Sequence, residues 1–373
     1  MSGWRNPAAA FALSCLLLGS LAYPGASAQT NNERRPESAA SFPTADHAST
    51  DVATELRTGA DLTRRGLLRE AIPHLLAAQQ LGADSFSAAF DLGICYLGMG
   101  NYKEAIAVLA PLHAATSRTP AVDNLLAQAY LGDGQAQAAL SAFTEAAAAS
   151  PKDEKLYAYM ADACTDHQNY AMGLQVAGLG LRQLPDSARL HYEHALFLAR
   201  LGRFEEGKPE FVRAAQLAPD SYIGYLAEVQ KDLYEDDLAG ATQVLRHAIQ
   251  SGHRDYQMLS LLGTVLLHNG AAPGEPEFAE AEKALDQSAE ENPGYSATQI
   301  ALGKIYLMEN QPQKAAEHLE IGRRLEPDNP AVYASLASAY DQLGEHSQAR
   351  LMRQQIGRLL AEKSPGGPAP QQP

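Results

Sequence analysis

The chain has 373 residues, of which 46% are hydrophobic and 20% charged, and its 44 Asp and Glu against 29 Lys and Arg give a formal net charge of -15. A chain this acidic repels phosphate backbones, so we expect no nucleic-acid partner. The hydrophobic content is too high for a disordered chain. Three cysteines are too few for a disulfide framework or a four-cysteine zinc site.

Residues 1–28 have the pattern of a secretory signal peptide. Arg5 supplies a positive charge, residues 8–22 form a largely apolar stretch, and residues 26–28 read Ala-Ser-Ala, as at a cleavage site. The apolar stretch is shorter than the roughly 20 residues of a membrane-spanning helix. We therefore expect cleavage near Ala28/Gln29, a periplasmic or secreted mature protein, and no stable membrane span after cleavage. An uncleaved anchor is the alternative.

From residue 52 onward the sequence repeats at a spacing of 34 residues, with one insertion of six. Before this point, residues 29–51 are rich in Ser, Thr, Asn, Ala and charge, without a periodic apolar face, and are predicted to be a disordered linker. A first series of small residues follows the spacing, with Val229 as its exception: Gly59, Gly93, Ala127, Ala161, Ala195, Gly263, Gly303 and Ala337. A second series is small throughout: Ala71, Ala105, Ala139, Gly173, Gly207, Ala241, Ala281, Ala315 and Ala349.

Between the two series lie residues that suit the turn at the end of a helix: Gly66, Gly100, Gly134, Gly202, Gly270 and Gly344, with Gln168, Asp236 and Asn310 in the other units. Gly and Asn tolerate the left-handed backbone conformation found there. Prolines that stop a second helix recur at Pro151, Pro185, Pro219, Pro293 and Pro327. Each repeat is therefore predicted to be a helix, a tight turn, a second helix and a stop.

The spacing divides the chain into nine units, about 52–85, 86–119, 120–153, 154–187, 188–221, 222–255, 256–295, 296–329 and 330–363. Residues 364–373 are rich in Pro and Gly and are predicted to be a disordered tail. A single helix pair buries too little apolar surface to be stable alone, so each unit needs its neighbours. The predicted fold is an all-α solenoid.

Residues 96–105 (YLGMGNYKEA) and 197–207 (FLARLGRFEEG) resemble the central signature of the tetratricopeptide repeat family. The resemblance extends over all nine units, because the register is kept throughout. It implies a right-handed α-solenoid of helix–turn–helix units. It also implies a protein or peptide partner in a concave groove that the first helices line. We expect no cofactor, no enzymatic activity and a monomer.

Carrying the family's groove positions onto this sequence gives a set of candidate partner-binding residues in each of four units. They are Phe90 and Ile94, then Asn124 and Gln128, then Asp162 and Asp166, and then Arg189, Tyr192 and Arg200. Spacings of three and four residues place each set on one helix face. Amides can bond a ligand's backbone whatever its sequence, and aromatic rings offer apolar anchorage. For each single residue, ordinary surface or packing between units is the alternative.

The leading functional hypothesis is an exported, non-enzymatic scaffold for protein or peptide partners. An alternative is a component of an envelope secretion or assembly machine, for pilus or exopolysaccharide export. A metal-dependent enzyme would rest only on His191 and His194, which stand three apart on one helix without an evident third ligand. The six-residue insertion, 271–276, begins an acidic stretch that is either a docking site or neutral surface.

Overall fold

The structure is a computed structural model that describes residues 52–83, 85–115 and 119–362. Its helices form pairs joined by tight turns. They are α1 Val52–Arg64, α2 Leu68–Gln80, α3 Ser85–Gly98, α4 Tyr102–His113, α5 Pro120–Gly132, α6 Ala136–Ala149, α7 Glu154–Asp166, α8 Tyr170–Gln183, α9 Ala188–Arg200, α10 Phe204–Leu217, α11 Tyr222–Tyr234, α12 Leu238–Gln250, α13 Tyr256–His268, α14 Pro276–Glu291, α15 Ser296–Met308, α16 Pro312–Leu325, α17 Pro330–Gln342 and α18 His346–Glu362. Odd numbers are the first helices of the pairs, and even numbers are the second helices.

The described residues divide into two compact halves, 52–210 and 211–362. Within each half, successive helices pack on one another, and neighbouring first helices also touch, such as α3 with α5 and α13 with α15. The described ranges contain helices and turns but no strand. The predicted all-α solenoid of tandem helix–turn–helix units is therefore confirmed.

Three predicted segments lie outside the described residues: the signal peptide (1–28), the linker (29–51) and the tail (364–373). Across 52–362, leaving out the two short gaps, no helix combines the length and the apolar character that crossing a bilayer requires.

The glycines of the first series lie where the two helices of a pair meet. A Cβ atom added at Gly93 would lie 2.5 Å from Leu109 Cδ2, and one added at Gly303 would lie 2.4 Å from Leu319 Cγ. Interiors are close-packed, so a methyl group has no room at these distances. Leu109 and Leu319, from the second helices of these two pairs, therefore fill the space that the glycines leave.

The turn residues confirm the predicted left-handed conformation. The six glycines between the paired helices all have positive φ, and so do Gln168, Asp236 and Asn310, with φ of 53°, 62° and 58°. At the turn that contains Gln168, the Asn169 N–H donates to the Cys164 carbonyl at 2.8 Å, and this hydrogen bond closes the end of α7. The backbone geometry of the turn is thus kept even where no glycine is present.

Aromatic side chains form the core of the N-terminal half. Phe143, Tyr157 and Phe197 are at most 1% exposed, and the rings of Phe143 and Tyr157 meet edge to face at 5.7 Å between centroids. A Cβ atom added at Gly173 in α8 would lie 2.4 Å from Phe197 Cε1. The Phe197 ring therefore occupies the space beside this glycine of the second series.

Candidate partner-binding surface

The candidate residues of the N-terminal half lie on α3, α5, α7 and α9, and each of these first helices contacts the next. Phe90, Ile94 and Gln128 are half-buried, so each presents part of its side chain to solvent. The Phe90 ring stacks on Phe86 with 5.9 Å between centroids. The structure thus brings apolar and amide groups onto neighbouring first helices.

Asn124 and Tyr192 are buried, with 3% and 0% of their surface exposed. Because α9 packs on both α7 and α8, the Tyr192 ring is enclosed. The sequence predicted that Tyr192 would offer apolar anchorage to a partner, but its burial prevents direct contact. Asn124 Oδ1 is buried and accepts no hydrogen bond from any described residue.

Arg189 joins two carboxylates. Its Nη2 atom lies 2.8 Å from Asp162 Oδ1 and 3.4 Å from Glu193 Oε1. Burial outweighs the attraction of Arg189, raising the pKa of Glu193 to about 8 and the pKa of Asp162 to about 6. One guanidinium thus serves two acids, and burial favours the protonated form of both. The sequence analysis did not name Glu193 as a candidate, although Arg189 lies four residues before it on the same helix.

The two remaining candidates have different surroundings. The Arg200 guanidinium carbon lies 5.7 Å from the centre of the Tyr170 ring, within range of a cation–π contact. Asp166, at the end of α7, is exposed. Arg200 therefore has an intramolecular partner on α8, whereas Asp166 presents its carboxylate to solvent.

The two histidines considered as metal ligands share one acid. His191 Nδ1 hydrogen bonds to Glu210, while its Nε2 lies 2.8 Å from the Pro185 carbonyl oxygen. His194 Nδ1 lies 3.8 Å from the other Glu210 oxygen. Both nitrogens of His191 are thus engaged within the protein. In the part of the chain that the structure describes, no three His, Cys, Asp or Glu side chains are grouped to hold a metal ion.

The same register continues into the C-terminal half, where the sequence analysis assigned no candidates. The repeat position of Phe90 is occupied by Ser260 and Ile300, and that of Ile94 by Gln230, Thr264 and Lys304. The spacing is a multiple of 34 residues, with six more where the insertion is crossed. Gln230 and Ser260 are each 1% exposed. A simple extension of the 34-residue spacing would have found these residues.

Buried polar atoms without a hydrogen-bond partner recur on the first helices, at more than one position of the repeat. Asn124 Oδ1, Gln230 Oε1, Ser260 Oγ and Thr264 Oγ1 make no hydrogen bond to any residue within the described ranges. Gln257 Nε2, in the register of Arg189, is a fifth. Leaving a buried polar group unsatisfied costs about 1–3 kcal/mol. Three of the five lie on α13, and the other two lie on α5 in the N-terminal half and on α11 in the C-terminal half.

A half-open pocket of about 170 Å³ lies between α13 and α15. Its lining is mostly apolar with three polar side chains, and includes Leu267, Ile300, Met308, Thr264, His268 and Lys304. Burial lowers the pKa of the Lys304 ammonium group. The pocket therefore combines an apolar lining with one cation.

Comparison with known proteins agrees with this architecture. Residues 62–129 and 300–354 each match a sequence family described as tetratricopeptide repeat. No curated protein matches the chain at a significant level. A solved tetratricopeptide repeat protein from Parabacteroides merdae is similar over 68% of this chain and 98% of that one, at 15% identity and a TM-score of 0.52, which supports the shared fold.

Two further solved structures are similar at lower scores. The human IFIT1 dimer with PPP-AAAA is similar over 84% of this chain and 92% of that one, at 14% identity and a TM-score of 0.45. YrrB, described as a TPR protein with an unusual peptide-binding site, is similar over 50% and 93%, at 14% identity and a TM-score of 0.35. Both scores are too low to support an argument about this chain.

Proposed function

Because this chain is a tetratricopeptide-repeat protein, we propose that it is an exported, non-enzymatic scaffold that binds an extended segment of a partner protein along its first helices. Such repeats form protein-interaction scaffolds. The observation that carries the proposal is that the neighbouring first helices α3 and α5 present Phe90, Ile94 and Gln128 as half-buried apolar and amide groups. A bound segment would cover the exposed parts of these side chains.

An extended peptide has the right chemistry for this face. Every residue other than proline carries one N–H donor and one C=O acceptor. The Gln128 amide is partly exposed, and it can donate to a backbone carbonyl group or accept from a backbone N–H group. Such contacts do not depend on the partner's side chains, so they provide affinity along the segment. Sequence preference must come from other residues.

In the N-terminal half, Phe90 and Ile94 offer apolar contact, and Gln128 offers an amide that is partly exposed. Asp166 adds an exposed carboxylate at the end of α7. Tyr192, whose ring is 0% exposed, does not reach a partner directly. We therefore place direct contact at the half-buried and exposed residues.

The double variant Ile94→Ala with Gln128→Ala should weaken capture of the native partner by about tenfold or more, because it removes an apolar contact and an amide from the same face. Chemical crosslinking in intact cells, followed by quantitative mass spectrometry, measures the loss for each captured protein. Far-ultraviolet circular dichroism should show unchanged helical content, since both residues are only half-buried.

The control is Lys103→Ala, which changes an exposed residue on the second helix α4. It should leave every captured protein at its wild-type level. If this variant reduces capture as much as the double variant does, the binding face lies on the second helices, and the assignment to the first helices fails.

The proposal that the protein is exported rests on the signal-peptide pattern of residues 1–28. N-terminal sequencing of protein purified from the cell envelope or the medium should read from about Gln29, because cleavage is expected after the Ala-Ser-Ala sequence. Recovery of the chain with Met1 intact from the envelope fraction would instead support an uncleaved anchor. Recovery from the cytoplasm alone would contradict export.

A further inference from the structure

Lys304 brings an uncompensated positive charge into the pocket between α13 and α15. Its side chain is half-buried, and no described residue hydrogen bonds or ion-pairs with it. Desolvation and the Lys304 charge lower the pKa of neighbouring His268 to about 4, so the imidazole adds no charge at neutral pH. Glu282 and Asp286, two acids on α14, interact with a different lysine, Lys314.

A half-buried cation without an anion destabilises a folded protein. Evolution retains such groups at binding sites, where stability is given up for function. Thr264 also lines this pocket, but its Oγ1 atom is enclosed by the protein. The unpaired charge of Lys304 therefore calls for a negatively charged group from a ligand.

The volume of the pocket suits a single side chain. It measures about 170 Å³, and an apolar cavity of about 150 Å³ takes up benzene. Leu267, Ile300 and Met308 provide apolar lining, and Met308 is 44% exposed, so it has surface left to bury. A leucine, methionine or phenylalanine side chain fits both the size and the lining.

We propose that this pocket binds a partner segment in which a bulky apolar residue lies next to an Asp or Glu, with the apolar side chain in the pocket and the carboxylate on Lys304. The inference rests on the proposed function and names the chemistry of the partner at one site.

An acid inside the segment fits this site better than the carboxylate at a chain end. Helices α13 and α15 are the inner first helices of the C-terminal half, with α11 before them and α17 after them. A bound segment therefore continues past the pocket in both directions. Lysine is also a single point charge on a flexible stem, which suits one side-chain carboxylate that approaches from a continuing backbone.

The first test selects random linear peptides by phage display on the purified full chain. We expect the enriched peptides to share a bulky apolar residue next to an acid. One such peptide, labelled with fluorescein and amidated at its C-terminus, should bind Lys304→Gln about tenfold or more weakly than wild type, because a charge-assisted hydrogen bond is lost. The matched control Lys283→Gln removes an exposed lysine of α14 and should bind like wild type.

A double-mutant cycle tests whether the acidic residue of the peptide pairs with Lys304. Replacing the acidic residue of the peptide by its amide should weaken binding to wild type by a similar factor, yet cause little further loss with Lys304→Gln. Raising the salt concentration should weaken the wild-type complex more than the Lys304→Gln complex. Additive losses would overturn the pairing of this acid with Lys304.

The other outcomes separate this inference from the proposed function. Selected peptides that bind wild type and Lys304→Gln equally would overturn the pocket assignment and leave the peptide-binding scaffold standing. Failure to enrich any peptide would overturn both. Peptides that bind only with a free terminal carboxyl group would overturn the choice of an internal acid.

The melting temperature of the free protein gives a readout without any ligand. Lys304→Met keeps the length of the side chain and removes the desolvated charge, so it should raise the melting temperature. A lower melting temperature would mean that an intramolecular partner neutralises Lys304, which overturns the proposal.

Discussion

Phe197→Ala should lower the free energy of unfolding by about 3–5 kcal/mol, the usual cost of deleting a buried aromatic ring. The side chain is 0% exposed in the core of the N-terminal half. Denaturant unfolding followed by circular dichroism measures the loss. The control, Tyr159→Ala, removes a side chain that is 55% exposed and should change the value by no more than about 0.5 kcal/mol.

The Phe197 ring also determines whether a second substitution, Gly173→Ala, stabilises or destabilises the protein. Gly→Ala inside a helix normally stabilises by about 1 kcal/mol, but at Gly173 the new Cβ would lie 2.4 Å from the Phe197 ring. Gly173→Ala should therefore destabilise the wild type and stabilise the Phe197→Ala variant. If the effect has the same sign in both backgrounds, Phe197 does not pack on Gly173, and the register assigned to α8 and α9 is wrong.

Glu193→Gln should flatten the pH dependence of stability and raise the melting temperature at alkaline pH. Burial raises the pKa of Glu193 from 4.5 to about 8 in the folded protein. The folded state therefore binds the proton more tightly than the unfolded state does. The stability that this carboxyl group contributes is fully present below about pH 4.5 and is lost as the pH rises through about 8. Gln keeps the size of the Glu193 side chain and removes its ionisable group.

Melting temperatures from about pH 5 to about pH 9 measure this effect. Some pH dependence of the same sign should remain, because burial also raises the pKa of Asp162 to about 6. Glu205→Gln, at an exposed position on α10, should reproduce the wild-type profile. A Glu193→Gln profile parallel to wild type would mean that Arg189 keeps Glu193 ionised across this range.

The repetitive features of the fold were predictable from the sequence because each depends on a local rule that recurs every 34 residues. The turns need a residue that tolerates positive φ, and Gln168 adopts φ of 53° at the position where other units have glycine. The close approach of paired helices needs a residue without a Cβ, as at Gly93. Such requirements depend on few neighbours, so the pattern itself reveals them.

The site was less predictable, because its details depend on contacts between units. Asp162 and Arg189 stand 27 residues apart and form their ion pair only after the units pack. The same packing encloses Tyr192, whose position alone suggested exposure. Asp232 is an acidic residue that is nevertheless buried at 6% exposure, and its carboxylate lies 2.7 Å from Lys231 Nζ.

The contacts between helices that follow one another in the chain also determine how the protein folds. Closing a short loop costs little entropy, so a fold built from such neighbours has a low contact order and forms quickly. Nucleation can start in any well-packed group of hairpins and spread to the next. A terminal hairpin has a neighbour on one side only, so within the described residues α1 with α2 and α17 with α18 should fray first and exchange their amide protons fastest.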